Sequence, residues 1–490
     1  MQINFNSLSK ADKEDIYMNS FKKIFMNNFY DKDILVVNVH EKIILWMLEN
    51  SFRNNSGLSI LQYDAKESSL DQIIYKHKFR YILLPKSFSL NIAINYSIIL
   101  TLNIYETEYE FIEIKNDLIF TEFSKSIVLF TSGSSGERKP VIISHKAMIS
   151  CSNFMAKTMK MVEKDVEIIY AQLDHAFALG RIISCALSNS SFLFFNSKKL
   201  LRPSTIDKFM ELEGLSGISC MPSVLYGILS SNIYSDYFSK KLKYVQIGAM
   251  FLPSNKKIEI VKKLPNTKIF AHYGMTEYMR ATFYEISSNL NKANSEGKAS
   301  YGTKIKINKI SNQLENKEEF FDEDQNKNLI GDILIKGPHL SDGYIDREEW
   351  NKRLTEDGFF KTGDIGYLDE DGYLFHKGRK DNLFNFQGKL FSSSSLQEKL
   401  EKKFKTLEGK IAVIPHRTKN SIRDTEIIVF VSKNKELDQN IISEKDIKKF
   451  FLGFGLRISI FKLDSNLPLS ANGKIAYGKL REYLKEKNQK

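Results

Sequence analysis

Cysteine is scarce in this chain. Its three copies among 490 residues, Cys151, Cys185 and Cys220, stand far apart in apolar or serine-rich surroundings. No two have the spacing of a metal site, and an odd, sparse set fits buried thiols in a reducing compartment. Long apolar runs are also missing. Ile43–Leu48 follows Glu41 and Lys42 and is closed by Glu49, far short of the roughly 20 residues a membrane-spanning helix needs. It reads as part of a core helix, and no membrane span is expected. Met1–Asp15 is polar with charges of both signs, so it is no signal peptide, and a cytoplasmic location is the expectation. No repeat of fixed period is visible, and only Ser392–Ser395 is low in complexity. With no zinc spacing and no module of interleaved aromatic and basic residues, nucleic acid is not an expected partner.

What is present is ample core material and a surplus of cations. The chain carries 35 Phe and 22 Tyr within a 42% hydrophobic composition, and its length exceeds one typical core, so two or more domains are expected. The net charge of +12 is spread along the chain. It favours anionic partners: nucleotides, coenzyme A or an acidic carrier protein. Strand-like runs at Ile34–Val39 and Tyr81–Leu84, followed by helical or turn segments, suggest an α/β architecture with a largely parallel sheet. The charged stretch Asn312–Lys327 reads as an exposed loop or hairpin. Near Lys380 the character changes to a Lys- and Glu-rich segment with its own strands at Lys410–Ile414 and Glu426–Val431.

The most informative stretch is Thr131–Pro140, TSGSSGERKP. A strand-like run precedes it at Ser126–Phe130, and β-branched character resumes at Val141–Ser144. The segment is therefore a polar loop between strands that ends in two cations. Such a loop suits a polyphosphate. Glycines allow close backbone approach, N–H and hydroxyl groups donate to phosphate oxygens, and Lys139 adds charge. A solvated hairpin loop is the other reading, since Ser and Gly are common in turns. The kinase-type phosphate loop fails on spacing, because Arg138 precedes Lys139 and Pro140 follows it. Gly133 and Gly136 do not supply a dinucleotide fingerprint either.

The loop resembles the signature of the adenylate-forming, AMP-binding ligases: acyl- and aryl-CoA synthetases, luciferases and peptide-synthetase adenylation domains. It departs from the usual pattern at Arg138, where Pro is usual, and at Pro140, where Gly is usual. Six further segments resemble the same superfamily in the same order. The resemblance assigns Thr131, Ser132, Gly133, Ser134, Ser135, Gly136 and Lys139 to the ATP phosphates. Leu173–Gly180 borders the acid pocket in relatives, with His175 at its polar position; Ser223 and Gly248 are placed near the same pocket. His175 argues for an acid without an α-amino group, while Asp174 keeps the amino-acid alternative open. Gln246–Pro253 resembles the strand and turn whose small residues, Gly248 and Ala249, lie against adenine. In Ala271–Glu277, AHYGMTE, the resemblance assigns Tyr273 to stack on the base with Gly274 beside it. It gives Thr276 to the α-phosphate and Glu277 to Mg²⁺. A flat ring, a hydroxyl donor and a hard oxygen ligand suit those tasks. Gly331–Pro338, Gly343–Tyr344 and Phe360–Asp364 resemble the run into a ribose-binding Asp364, with Arg379 also reaching ribose or phosphates. Asp369 and Asp371 are better read as turn residues. Asp381 falls at the family's hinge and Gly388 on its thiol-transfer loop. Beyond Gly388 the chain carries Ser392–Ser395 where relatives usually have acidic residues. Leu467–Lys474 supplies the catalytic Lys474, whose ammonium would bridge the carboxylate and the α-phosphate.

The resemblance implies an α/β fold with a large multi-sheet N-terminal domain, residues 1–381, and a small mobile C-terminal α/β domain, residues 382–490. ATP and the acid would bind in the cleft between them. The implied reaction converts a carboxylic acid and Mg-ATP into an acyl-adenylate and pyrophosphate. The acyl group then passes to a thiol, from coenzyme A or from the phosphopantetheine of a separate carrier protein. An aliphatic acid is expected first and an aryl acid second. Alternatives are an amino-acid-adenylating enzyme that loads a carrier protein and a non-catalytic nucleotide-binding relative. No covalent enzyme nucleophile is needed, so the cysteines take no role.

Overall fold

The computed structural model describes residues 32–61, 70–88, 95–104, 107–115, 124–132, 138–196, 201–248, 252–309, 330–380, 383–386, 389–407, 409–416, 426–432, 443–468 and 475–487. The charged stretch Asn312–Lys327 lies outside them. The chain forms two compact units, residues 1–304 with 336–358, and residues 305–335 with 359–490. The second unit thus takes in strands that precede Asp381.

In the first unit, seven strands form one sheet with the short strand Gly343–Tyr344 (β16 in chain order). They are β1 (Ile34–Val37), β2 (Leu58–Leu61), β3 (Tyr81–Pro85), β4 (Tyr96–Ile104), β5 (Thr107–Ile114), β6 (Ser126–Ser132) and β7 (Arg138–Ser144). Their order is β16-β7-β6-β2-β1-β3-β5-β4. The centre, β6-β2-β1-β3, is parallel. Both flanks are antiparallel, because β4/β5 and β6/β7 are local hairpins. This sheet is therefore mixed rather than largely parallel. β1 and β2 are buried along their whole length, as central parallel strands covered on both faces must be. Leu35, Val37, Leu61, Ile82, Leu84, Ile112 and Val128 fill one core. Ile43–Leu48 lies, as expected, in a helix, Glu41–Asn54, that buries Ile43, Ile44, Met47 and Leu48. That helix is joined to the next layer by Ser51, whose hydroxyl donates to the Ser56 carbonyl at 2.6 Å and lies 3.0 Å from His145 Nε2.

A second sheet of the same unit holds β8 (Val166–Ala171), β9 (Ser191–Asn196), β10 (Leu215–Cys220), β11 (Tyr244–Ile247), β12 (Lys268–Ala271) and β13 (Tyr284–Glu285) in the order β13-β12-β11-β10-β8-β9. All its pairings except β12/β13 are parallel. The segments that follow the C-terminal ends of β8, β11 and β12 contain His175, Gly248 and Tyr273–Glu277. This is the edge at which open parallel sheets bind ligands.

The second unit contains a four-stranded sheet of β14 (Lys304–Lys309), β15 (Gly331–Lys336), β17 (Phe360–Leu368) and β18 (Leu374–Arg379) in chain order. Asp369 takes the turn role expected of it, accepting from the Tyr373 N–H at 2.8 Å. A hairpin, β19 (Leu383–Phe386) with β20 (Lys389–Ser392), leads into the helix Ser393–Lys403. Last comes a three-stranded sheet of β21 (Ile411–His416), β22 (Glu426–Val431) and β23 (Ile458–Lys462). Its alternation is two-sided. Ile411, Val413, Ile427, Val429 and Val431 pack against Leu396, Leu400, Ile447 and Phe451. The intervening Ala412, Ile414, Ile428 and Phe430 pack against Leu467, Leu480 and Leu484. Successive side chains on a strand face opposite ways, so each strand serves both cores.

Candidate functional site

The β6/β7 hairpin sets the first part of the site. Its register pairs Thr131 with Lys139 and the backbone of Ser132 with that of Arg138. The half-buried Thr131 hydroxyl donates to the Lys139 carbonyl at 3.3 Å. Two strands therefore run up to the tip, and the expectation of a loop between strands holds at both ends. Gly133, Ser134, Ser135 and Gly136 lie outside the described residues.

β16 adds on antiparallel to β7, pairing Tyr344 with Val141 and Gly343 with Ile142. Gly343 has φ +116°, and a Cβ there would lie 2.7 Å from Trp350 Cγ. Only glycine lets the strand pass this close to the buried indole. The Tyr344 ring meets Trp350 edge-on, with centroids 5.3 Å apart. Its hydroxyl donates to Glu277 Oε1 at 2.7 Å. Lys139 Nζ lies 5.9 Å from the centre of the same ring and is ion-paired with Glu349. Glu349 belongs to the helix Arg347–Lys352, whose N-cap Asp346 accepts from the Glu349 N–H at 3.0 Å. Burial, and then the neighbouring Glu277 carboxylate, push the Tyr344 hydroxyl well above its ordinary pKa. It therefore stays a proton donor to Glu277. Tyr344 thus holds two groups that the sequence separates widely: Glu277 at its hydroxyl and Lys139 over its ring.

Glu277 sits in a closed turn after β12. Met275 and Tyr278 exchange backbone hydrogen bonds of 3.0 and 3.2 Å, and the Ser341 N–H donates to the Glu277 carbonyl at 2.8 Å. Tyr273 is tied by its backbone to Thr282, whose hydroxyl accepts the Tyr273 N–H at 2.9 Å. Gly274 has no room for a side chain, since a Cβ would meet Arg280 N at 2.6 Å. Thr276 and Glu277 are both half-buried. Among the described residues, Tyr344 is the side chain that hydrogen-bonds the Glu277 carboxylate. Among the described residues, no group of three or more His, Cys, Asp or Glu could hold a metal. The Glu277 carboxylate could supply one hard oxygen to a divalent cation.

The acid-pocket candidates are less convergent. His175 is the N-cap of the helix Ala176–Leu187 yet makes no side-chain cap bond. Its Nε2 lies 3.7 Å from Asp174 Oδ1. Gly248 is pressed against His272, for a Cβ would lie 2.0 Å from its Cε1. His272 in turn stacks on Phe177 at 5.7 Å. Ser223 is exposed on the helix Pro222–Leu229. Ala249 lies outside the described residues.

In the second unit, β17 and β18 bring Asp364 and Arg379 directly opposite each other. Arg379 Nη1 lies 3.2 Å from the buried Asp364 Oδ1, and His376 Nε2 lies at 3.8 Å. The Asp364 N–H donates to the Thr362 hydroxyl at 3.0 Å, which itself donates to the Ile333 carbonyl at 2.8 Å. Thr362 thus fixes the Asp364 backbone, and the carboxylate faces the cationic Arg379 guanidinium. Asp381, Gly388 and Lys474 lie outside the described residues. The ends of the Lys474 segment are nevertheless joined, since the Ala476 N–H donates to the Pro468 carbonyl at 2.8 Å. The three cysteines are buried and their thiols are shifted upward by desolvation, Cys151 to about 11 and Cys220 to about 12. Such thiols are poor nucleophiles.

The sequence marks neither Tyr344 nor Glu349 for these contacts: Tyr344 stands out only as part of the Gly343–Tyr344 segment, and a glutamate inside the charged run Asp346–Glu349 carries no local signal.

Residues 113–345 match the family described as AMP-binding enzyme. Acyl-CoA synthetase 7 of Caenorhabditis elegans is 26% identical over 301 residues, 58% of this chain and 51% of that protein. A 2-succinylbenzoate–CoA ligase of Listeria innocua is 25% identical over 360 residues, 72% of this chain and 69% of the relative. The chain thus spans about half the length of the first of these relatives and somewhat over two thirds of the second. Among solved structures, ATP-bound MatB of Rhodopseudomonas palustris superposes with a TM-score of 0.72 at 18% identity, covering 94% of this chain and 91% of that one. The AMP complex of O-succinylbenzoate coenzyme A synthetase from Bacillus subtilis gives 0.68 at 17% identity, covering 92% and 88%. Among the described residues, no helix is long and apolar enough to cross a membrane.

Proposed function

We propose that this chain, a member of the adenylate-forming, AMP-binding ligase superfamily, is an acid–thiol ligase. It activates a carboxylic acid with ATP as the acyl-adenylate, releases pyrophosphate, and passes the acyl group to the thiol of coenzyme A. The observation that carries this reading is the gathering of Lys139 and Glu277 on the two sides of Tyr344. One offers positive charge to phosphate oxygens, and the other offers a hard oxygen to Mg²⁺. In this reading Thr276 contacts the α-phosphate, and Asp364 accepts from the ribose hydroxyls with Arg379 beside it. Lys474 offsets repulsion as the anionic carboxylate attacks the anionic phosphate. The Thr131–Gly136 loop cradles the triphosphate. Tyr273, Gly274, Gly248 and Ala249 frame the base, and His175 and Ser223 lie on the acid side. Asp381 acts as hinge and Gly388 serves the thiol-transfer step.

Mg²⁺, when bound, spreads charge on the phosphates. The protein's own work is to orient the two anions and to exclude water. The relatives are named for acids of different kinds, 2-succinylbenzoate, long-chain fatty acids and 4-coumarate, so the proposal names a carboxylic acid of aliphatic or aryl type. Acid-dependent exchange of pyrophosphate into ATP, over a panel of short, medium, aryl and amino acids, tests the first half-reaction. Thioester formation with free coenzyme A against a panel of phosphopantetheine-bearing carriers tests the second. Exchange with none of the acids would return the chain to a non-catalytic nucleotide-binding role.

A further inference from the structure

Arg280 stands three residues after Glu277, and its side chain is buried. It is backbone-strained, with φ +48°, a left-handed conformation uncommon for a residue with a side chain. Its guanidinium leaves its own loop. Nη1 donates to the Ala176 carbonyl at 2.8 Å and Nη2 to the Phe177 carbonyl at 3.0 Å. The cation also lies 5.4 Å from the centre of the Phe177 ring. Ala176 and Phe177 begin the helix that His175 caps.

Two glycines are shaped to receive this residue. A Cβ on Gly180 would lie 2.9 Å from Arg280 Nη1, and a Cβ on Gly274 would lie 2.6 Å from Arg280 N. The far side is held as well, because Ser300 donates to the Arg280 carbonyl at 2.7 Å. Among the described residues no carboxylate pairs with the guanidinium, and its buried Nε has no partner. Burial pulls the group down to about 10, so it remains charged near neutrality. A buried cation without a counter-ion is costly when the contact serves packing alone. An apolar side chain of the same volume would fill the space at lower cost.

We propose that Arg280 is a positioning residue that locks the Tyr273–Glu277 loop to the turn His175–Phe177, so that the groups facing the nucleotide and those facing the acid move as one body. Backbone strain and two carbonyl contacts then hold a fixed distance between Thr276 and His175. Proximity of this kind governs rate more than affinity, since the reacting carboxylate must meet phosphorus at contact distance. The inference rests on the functional reading above for its kinetic part only.

The test uses the full chain with Arg280→Met and Arg280→Lys. Hydrogen exchange without substrates is read by mass spectrometry over residues 175–180 and 273–279. Arg280→Met should speed exchange in both segments together, and Arg280→Lys, which keeps the charge, should restore part of the protection. A change in only one segment, in neither, or spread evenly over the first unit overturns the lock. In pyrophosphate exchange, Arg280→Met should lower kcat by about 100-fold, the cost of misplacing reacting groups by about 1 Å, with the KM for ATP little changed. An unchanged kcat, or KM values rising in parallel for ATP and acid, counts against it. If the wild-type chain exchanges with no acid, the functional reading has failed while the hydrogen-exchange result still decides the coupling. Should Arg280→Met not fold, Arg280→Lys decides on the same readouts.

Discussion

Removing one oxygen atom probes the centre of the site. Tyr344→Phe keeps the ring that packs on Trp350 and lies beneath Lys139, and it deletes only the hydroxyl that reaches Glu277 at 2.7 Å. A hydrogen bond to a charged group is worth about 1.5–3 kcal/mol. At about 1.4 kcal/mol per decade, that energy corresponds to a roughly 10- to 150-fold change in rate if it serves to orient Glu277. The ring contacts survive, so the unfolding midpoint should fall by no more than a few degrees. Pyrophosphate exchange at saturating acid gives the rate, and a thermal melt gives the stability. A double-mutant cycle with Glu277→Gln then isolates the pair. If the tyrosine acts through the glutamate, Tyr344→Phe should cost much less in a Glu277→Gln background than in the wild type. Equal costs in the two backgrounds would refute the reasoning, as would a Tyr344→Phe enzyme with unaltered exchange.

Other outcomes follow from the same geometry. Lys474→Ala should abolish adenylate formation far more than it slows use of a preformed acyl-adenylate; equal loss in both half-reactions would sink the role given to it. Asp364→Ala should raise the KM for ATP and remove the preference for ATP over 2′-deoxy-ATP, and a preserved preference would show that the carboxylate does not read the ribose. Acidification should destabilise the first unit. His145 and His339 are buried neutral, each lowered from 6.5 to about 4, chiefly by desolvation. Their contribution is complete above the unfolded value of 6.5 and is lost as pH falls toward 4. Between pH 7 and 5 that amounts to about 2 kcal/mol for each histidine. Unfolding midpoints that match at pH 7 and pH 5 would contradict it.

Local pattern made much of the fold readable. Ile43–Leu48, too short for a membrane, is the apolar stripe of a core helix. Ser126–Phe130 and Val141–Ser144 are the arms of the hairpin that bracket the serine-rich tip. What stayed hidden depends on distance along the chain. Glu277 meets a hydroxyl 67 residues on, Lys139 meets a carboxylate 210 residues on, and Arg280 meets a carbonyl 104 residues back. None of these partners has a composition that marks it. Glu349 sits in a run of charges that looks solvated, and Arg280 looks like one more surface cation in a basic chain. The mixed character of the first sheet was missed because hairpins such as β4/β5 lie beside parallel strands and carry the same β-branched residues. The four-stranded sheet draws residues 304–309 and 331–336 together with 360–368 and 374–379. The intervening chain leaves no sign in the sequence that these belong side by side.

The burial of every thiol has a use outside the chemistry. Cys151, Cys185 and Cys220 are the chain's whole complement, and all three are buried with protonation favoured by desolvation. A maleimide dye reacts with the thiolate, so the native protein should take up almost none while folded. A cysteine engineered onto an exposed surface position would then be the single reactive handle, with no need to remove the native three. Two such handles, one in each unit, would carry a donor and an acceptor dye. The distance between the units could then be followed through each half-reaction in the otherwise unaltered protein.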